Sequence, residues 1–97
     1  MNQCNFVGYV TDDPVLDQQN GVSVVFFEIV VYQYRKTKGG DNVKEPTYVD
    51  LEAWHTGAEA ICESASSGSK IAVACSARND KEDEHKTYFR INEFEVL

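Results

Sequence analysis

The sequence predicts an all-β domain with one short helix, arranged as a five-stranded Greek-key barrel. Three observations predict it: five apolar segments with strand character, one segment with helical periodicity, and the position of that segment between the third and fourth strands. A chain of 97 residues has room for one hydrophobic core, so residues 1–97 are expected to form a single domain.

The first strand is predicted from Cys4 to Val10, where apolar and polar residues alternate weakly. Asp12-Asp13-Pro14 and then Asn20-Gly21 follow, and these residue types interrupt strands and form turns. The sequence therefore predicts a connection that ends in a turn before the next apolar segment.

The second strand is predicted from Val22 to Tyr34, a segment rich in Val, Phe, Ile and Tyr. Alternate positions form one uninterrupted apolar face: Val25, Phe27, Ile29 and Val31. Glu28 interrupts the other face, so the strand is expected to bury one side. Residues 34–46 carry two glycines, a proline and four basic residues without an apolar period, which predicts an extended hairpin loop.

The third strand is predicted from Tyr48 to Trp54, where the alternation is clean. The inner face has Val49, Leu51 and Ala53, and the outer face has Tyr48, Asp50, Glu52 and Trp54. The outer face therefore combines two aromatic rings with two carboxylates, a combination that the core does not explain.

One amphipathic helix is predicted over residues 56–67. Thr56 and Glu59 have the spacing of a capping box, and Gly68 follows as a stop signal. The apolar stripe between them consists of Ala58, Ile61, Cys62 and Ala65. This helix follows the third strand directly.

The last two strands are predicted from Lys70 to Arg78 and from about Lys86 to Leu97, joined by a charged hairpin. The resulting order is that of the oligonucleotide/oligosaccharide-binding (OB) fold, in which the face of strands two and three and the adjoining loops bind ligand. That topology would bring the 34–46 loop near the second hairpin. A small unrelated barrel or a fragment of a sandwich is the alternative.

Charge is unevenly distributed in this acidic chain. The net charge is -7, yet eight of the nine basic residues lie in residues 35–44 and 78–90. The first segment has a net charge of +3, since four basic residues face only Asp41, whereas four acids neutralise the second. A basic segment with aromatic rings beside it can hold a single nucleic-acid strand locally, although the acidic body repels it at long range.

Several function classes lack support in the sequence. The three cysteines lack CxxC spacing and have apolar neighbours, which indicates buried free thiols and a reducing compartment. No signal peptide or apolar stretch of membrane-spanning length is visible. His55 and His85 are isolated, and no nucleophile–base pair or phosphate-binding glycine loop occurs. We expect no enzyme, no cofactor, no metal and no membrane association.

The chain resembles the bacterial and phage single-stranded DNA-binding (SSB) proteins over nearly its whole length. The segments that carry the resemblance are MNQCNFVGYVTDDPVL, NGVSVVFFEIVV, EPTYVDLEAWHTGAEAICESASSGSKIAV and FEVL. It implies an OB barrel, usually a homotetramer with a dimer as the alternative, that binds single-stranded DNA without sequence preference during replication, recombination or repair. The implied location is the cytoplasm, at the bacterial nucleoid or in a phage-infected host.

The resemblance also implies the site residues. Tyr34, Tyr48 and Trp54 match aromatic stacking positions, and stacking on a ring requires no particular base. Phosphate contacts are predicted for the basic residues of the 35–44 segment, Arg35, Lys36, Lys38 and Lys44. Further contacts are predicted at the ends of the last two strands, from Arg78, Lys86, Tyr88 and Arg90.

Two features depart from the family pattern, and two acidic residues on the proposed binding face need an explanation. The second hairpin, NDKEDEHK, lacks the usual aromatic, unless Tyr88 replaces it. The sequence stops at Leu97, whereas many relatives continue into an acidic tail that recruits partners, so tail-mediated recruitment is not expected: the tail was removed or the protein is a minimal, phage-type version. Asp50 and Glu52 would either pair with neighbouring basic side chains or weaken binding. The alternative function is an OB-type adaptor of the replication machinery, akin to the primosomal adaptors, with weak nucleic-acid affinity.

Overall fold

A computed structural model describes residues 1–97 and contains six strands and one helix. In chain order these are β1 (Cys4–Val10), β2 (Asp17–Gln19), β3 (Val22–Lys36), β4 (Asn42–Trp54), α1 (His55–Ser64), β5 (Lys70–Asn79) and β6 (Thr87–Val96). The predicted fold class is confirmed, with the helix between the third and fourth barrel strands.

Five of the strands form a closed barrel of the OB type. The sheet order is β1-β5-β6-β4-β3-β2, and β1 also pairs with β3, which closes the ring. Neighbouring strands are antiparallel except β4 and β6, which pair in parallel at Leu51–Phe89 and Glu52–Arg90. At this pairing, the side chain of Leu51 lies in the core, whereas that of Glu52 lies on the outer face of the barrel.

Closure between β1 and β3 depends on Gly8. A Cβ atom at this position would lie 2.5 Å from the carbonyl oxygen of Val30, closer than real Cβ contacts allow. In the two residues that follow Gly8, Tyr9 pairs with Val30 and Val10 pairs with Ile29. Glycine is therefore required where the two backbones meet.

The connection after β1 contains a short strand that the sequence did not predict. β2 consists of three exposed polar residues and pairs with the start of β3, so it has no apolar alternation to mark it. The predicted turn at Asn20-Gly21 is confirmed: both residues have positive φ, 53° and 77°, as in a two-residue type I′ hairpin.

The predicted loop over residues 34–46 is wrong in extent, because most of it is strand. The β3–β4 pairing runs without a break from Val24–Trp54 to Lys36–Asn42, and only residues 37–41 form the turn. Backbone pairing with a long partner strand overrides the weak strand preference of these polar residues. Pro46 is tolerated because β4 pairs with a second strand only near Leu51 and Glu52. The molecule measures 55 × 30 × 22 Å.

The barrel core is continuous with the buried side of the helix. Among its largest fully buried members are Ile29, Leu51, Ile61 and Ile71. α1 buries Ala58 and Ile61 and packs against β3 and β4, as the predicted stripe indicates. At ten residues, this single helix lacks the length needed to cross a membrane.

The predicted ends of the helix are wrong. Trp54 occupies the N-cap position without a side-chain capping bond, so Thr56 and Glu59 do not form a capping box. The helix begins directly after β4 at a corner where His55 has φ 60°, and it ends at Ser64 rather than at residue 67. The amide of Ala65, in extended conformation, bonds the carbonyl of Ile61. The uninterrupted passage from strand to helix leaves no room for the predicted cap.

Candidate nucleic-acid interface

The outer face of β3 and β4 carries a series of exposed aromatic side chains. In the β3–β4 register, Phe26 lies opposite Glu52, Val30 opposite Tyr48, and Tyr34 opposite Lys44. Paired residues project from the same side of a sheet, so Phe26, Tyr34 and Tyr48 share one face. These side chains are 53%, 70% and 62% exposed, although large aromatic rings are usually buried in the core of a protein.

Two more tyrosines extend this aromatic face onto β1. Tyr9 is placed beside Val30, and its ring centroid lies 6.2 Å from that of Tyr32. The Lys44 ammonium nitrogen stands 3.9 Å from the centroid of the Tyr32 ring, a cation–π contact. Phe26, Tyr9 and Tyr32 were missed in the sequence prediction. For Phe26 and Tyr32 the missed signal was that they occupy the same alternate positions of β3 as Tyr34.

The predicted aromatic residues are spread along the hairpin rather than clustered. Ten residues separate Lys44, opposite Tyr34, from Trp54 at the other end of β4. At strand geometry this corresponds to about 33 Å. Tyr34 and Trp54 would therefore contact different parts of a bound strand.

A groove of about 540 Å³ lies at the barrel end of this face, between the β3–β4 hairpin and the turn that joins β5 to β6. Four aromatic residues line it, the core residue Phe27 and the three outer-face residues Phe26, Trp54 and Tyr88. Lys86 and Arg90, both predicted, line it too, together with the unpredicted Lys81. The second hairpin thus meets the base of the β3–β4 hairpin, whereas residues 34–48 lie outside the groove.

The floor of this groove holds a buried ion pair. Glu52 is 1% exposed, and its Oε1 accepts a hydrogen bond from Nε of Arg90 at 3.0 Å. Nη2 of the same guanidinium lies 2.9 Å from this oxygen, which makes the contact an ion pair. The indole N–H of Trp54 donates to the same oxygen. Burial raises the pKa of the nearby Tyr88 phenol, and the negative charge of Glu52 raises it further. Of the two explanations considered for Glu52, pairing with a basic neighbour is confirmed.

The groove is acidic in sum. Its charged lining residues are Glu28, Asp50, Glu52, Asp80 and Glu82 against Lys81, Lys86 and Arg90. Glu28 accepts a hydrogen bond from the Thr11 hydroxyl at 3.1 Å, whereas exposed Asp50 has no hydrogen-bond or ion-pair partner. Lys81 and Lys86 come from the turn between β5 and β6, where Asp80 and Glu82 balance their charge.

The predicted basic residues of the first segment divide between two faces of the hairpin. Lys36 and Lys44 pair with Asn42 and Tyr34 and lie on the aromatic face. Arg35 projects from the opposite face, where its guanidinium binds the carboxylate of Glu45. Lys38 lies in the turn between the strands.

Arg78 lies opposite Tyr88 in the β5–β6 pair but does not line the groove. No group of three or more His, Cys, Asp or Glu side chains is placed to hold a metal ion.

The sequence profile described as the single-strand binding protein family matches residues 1–96. The chain belongs to this family. Proteins of the single-strand binding family are non-enzymatic, in agreement with the expectation from the sequence. No curated protein sequence matches the chain.

Solved structures share the fold of this family member. The wild-type single-stranded DNA binding protein from Thermus aquaticus superposes with a TM-score of 0.84 at 17% identity, covering 100% of this chain and 50% of that one. The PriB protein from Ralstonia solanacearum gives 0.76 at 12% identity, with 100% and 99% covered. The second single-stranded DNA binding protein (SSBb) from Mycobacterium smegmatis superposes with a TM-score of 0.77 at 15% identity, covering 98% of this chain and 87% of that one. The chain spans half the length of the Thermus protein.

Proposed function

We propose that this protein binds single-stranded DNA without sequence preference, on the outer face of β3 and β4. The observation that carries the proposal is the exposure of Phe26, Tyr34 and Tyr48 on that one face, with Trp54 in the groove at its end. Bases stack on rings at a gain of about 1–3 kcal/mol each, whatever their identity. Membership of the single-strand binding family supports the same ligand.

The basic side chains on the aromatic face supply the phosphate contacts in this proposal. Lys36 and Lys44 lie beside the rings of the hairpin, and Lys81 and Lys86 line the groove from the turn between β5 and β6. If three to four phosphates are neutralised per protomer, log affinity should fall against log salt with a slope of about -2 to -3. Duplex DNA should bind weakly because its bases are already stacked on one another.

Fluorescence of Trp54, the single tryptophan of the chain, tests the proposal. The emission should be quenched when oligo-dT is added and should recover with salt. Gel mobility of the oligonucleotide at low salt provides a second readout. Failure of both measurements to detect binding would refute the proposal.

The proposed biological setting is replication, recombination or repair in a bacterial cell or a phage-infected host. A homotetramer is proposed by analogy with the family, with a dimer as the alternative, since a small barrel gains stability from assembly. Light scattering of the DNA-free protein distinguishes the two and also detects a monomer.

A second candidate function is a protein-binding adaptor of the replication machinery. The acidic lining of the groove and the net charge of -7 favour it, because both oppose binding of a polyanion. The similarity to PriB along 99% of that chain is compatible with it. Weak oligonucleotide affinity together with tight association with a replication protein would favour the adaptor over the proposal above.

A further inference from the structure

Glu52 is a buried carboxylate in a groove that we propose for a polyanion, and its contacts explain why it is there. We infer that Glu52 is a positioning residue: it holds the indole of Trp54 and the guanidinium of Arg90 together as one stacking surface. This inference rests on the proposed function. It predicts that an acidic residue in the groove strengthens DNA binding.

The first argument is the convergence of donors on one oxygen. Oε1 of Glu52 accepts hydrogen bonds from Nε of Arg90 and from Nε1 of Trp54, and Nη2 of Arg90 lies 2.9 Å from the same oxygen. Glu52 is 1% exposed, so water cannot replace these donors. A buried carboxylate without partners is strongly destabilised by its lost hydration, which keeps these contacts to Arg90 and Trp54 in place. The indole edge is consequently anchored, and the ring cannot rotate freely about its side-chain torsions.

The second argument concerns the faces of the Trp54 ring. The guanidinium carbon of Arg90 lies 5.7 Å from the indole centroid, so the cation stands over one face of the ring. Nε and Nη2 of Arg90 both lie within 3.0 Å of Oε1, which orients the guanidinium plane. A guanidinium plane stacks on bases as an aromatic ring does. Arg90 therefore adds stacking surface, while Glu52 neutralises its charge.

Asp50 provides a matched comparison within the same strand. It lies two residues before Glu52, on the same face, and lines the same groove. It is exposed and has no hydrogen-bond partner, so its contribution to DNA binding is charge alone. Asp50→Asn and Glu52→Gln remove the same charge, but only the second also weakens the bonds to Trp54 and Arg90, because an amide oxygen is a weaker acceptor than a carboxylate.

The test compares both variants with the wild type by titrating oligo-dT at low salt and at about 0.5 M salt, where long-range charge effects are screened. We expect Asp50→Asn to bind more tightly at low salt and to match the wild type at high salt. We expect Glu52→Gln to bind at least about fivefold more weakly at high salt, as loss of one ordered stacking contact implies. Its salt slope should steepen by about 0.7, because released Arg90 reaches a phosphate.

A second measurement requires no DNA. Acrylamide quenching of Trp54 fluorescence should increase in Glu52→Gln and stay unchanged in Asp50→Asn. Where Glu52→Gln fails to fold, Glu52→Asp replaces it: this variant keeps the charge and withdraws the carboxylate from Trp54 and Arg90 by one methylene, so quenching should again increase.

Equal tightening in both single variants, or unchanged quenching in the Glu52 variant, would overturn the positioning role. Absence of oligo-dT binding by the wild type would instead refute the proposed function. The quenching comparison would then decide the role of Glu52 alone.

Discussion

Arg90 and Glu52 form an ion pair of unequal burial, with Nη2 2.9 Å from Oε1. The Arg90 side chain is 38% exposed, whereas that of Glu52 is 1% exposed. Losing Glu52 leaves a cation that can turn toward water, but losing Arg90 leaves an anion without that escape. The stability of the barrel should therefore fall more when Arg90 is replaced than when Glu52 is replaced.

Replacing Arg90 with Met should destabilise the fold by about 3–5 kcal/mol, the range for breaking a buried pair. Urea unfolding measures the change. Arg35→Met is the control, since its pair with Glu45 is exposed on both sides and should contribute less than about 1 kcal/mol. Equal effects of the two substitutions would contradict the argument from burial.

The two faces of the β3–β4 hairpin should differ in DNA binding. Lys44→Gln removes a cation from the aromatic face, so the salt slope of oligo-dT affinity should become shallower by about 0.7. Arg35→Gln removes the same charge from the opposite face, where Glu45 already neutralises it, and should leave the slope unchanged. A shallower slope in both variants would show that DNA contacts both faces.

Phe26→Ala should weaken oligo-dT binding by about 1–3 kcal/mol, because this exposed ring lines the groove beside Trp54. Fluorescence titration measures the loss. Val15→Ala truncates another exposed apolar side chain, which lies outside the groove, and should bind as the wild type does. If the Phe26 variant bound oligo-dT with wild-type affinity, this ring would not be part of the interface.

Gly8→Ala should destabilise the barrel by about 1–3 kcal/mol or more, since the added methyl meets the Val30 carbonyl at 2.5 Å. Gly57→Ala is the matched control: it lies in α1 with open space around it and should gain up to about 1 kcal/mol. Thermal unfolding compares the two. If the Gly8 variant were as stable as the wild type, β1 and β3 could move apart without loss of stability.

The stability of the fold should fall at alkaline pH because the thiol of Cys75 is buried. Burial, followed by the charge of Cys4, raises the pKa of this thiol from 9.0 to about 11. Between these values the unfolded chain loses the proton while the native protein keeps it, so stability falls as pH rises above 9. The loss is about 1 kcal/mol at pH 10. Urea unfolding of Cys75→Ala should show a correspondingly shallower decline between pH 8 and 10.

Local alternation in the sequence predicted the five barrel strands and their faces, although it missed β2 and the outer part of the β3–β4 hairpin. The outward placement of Tyr48, Glu52 and Trp54 followed from the alternation of residues 48–54, and the order of elements indicated the barrel topology. These inferences succeeded because a strand places alternate side chains on opposite sides, which a single segment already encodes.

The tertiary structure decided which outward side chains are exposed and which are covered. Phe26 and Glu52 lie opposite each other on the same face, yet one is 53% exposed and the other 1%, since Arg90 of β6 and the indole of Trp54 both contact Glu52. The length of the β3–β4 hairpin likewise depends on pairing between two strands rather than on the propensities of either. Periodicity within a segment specifies a side of the sheet, but only strands distant in sequence determine what lies against that side.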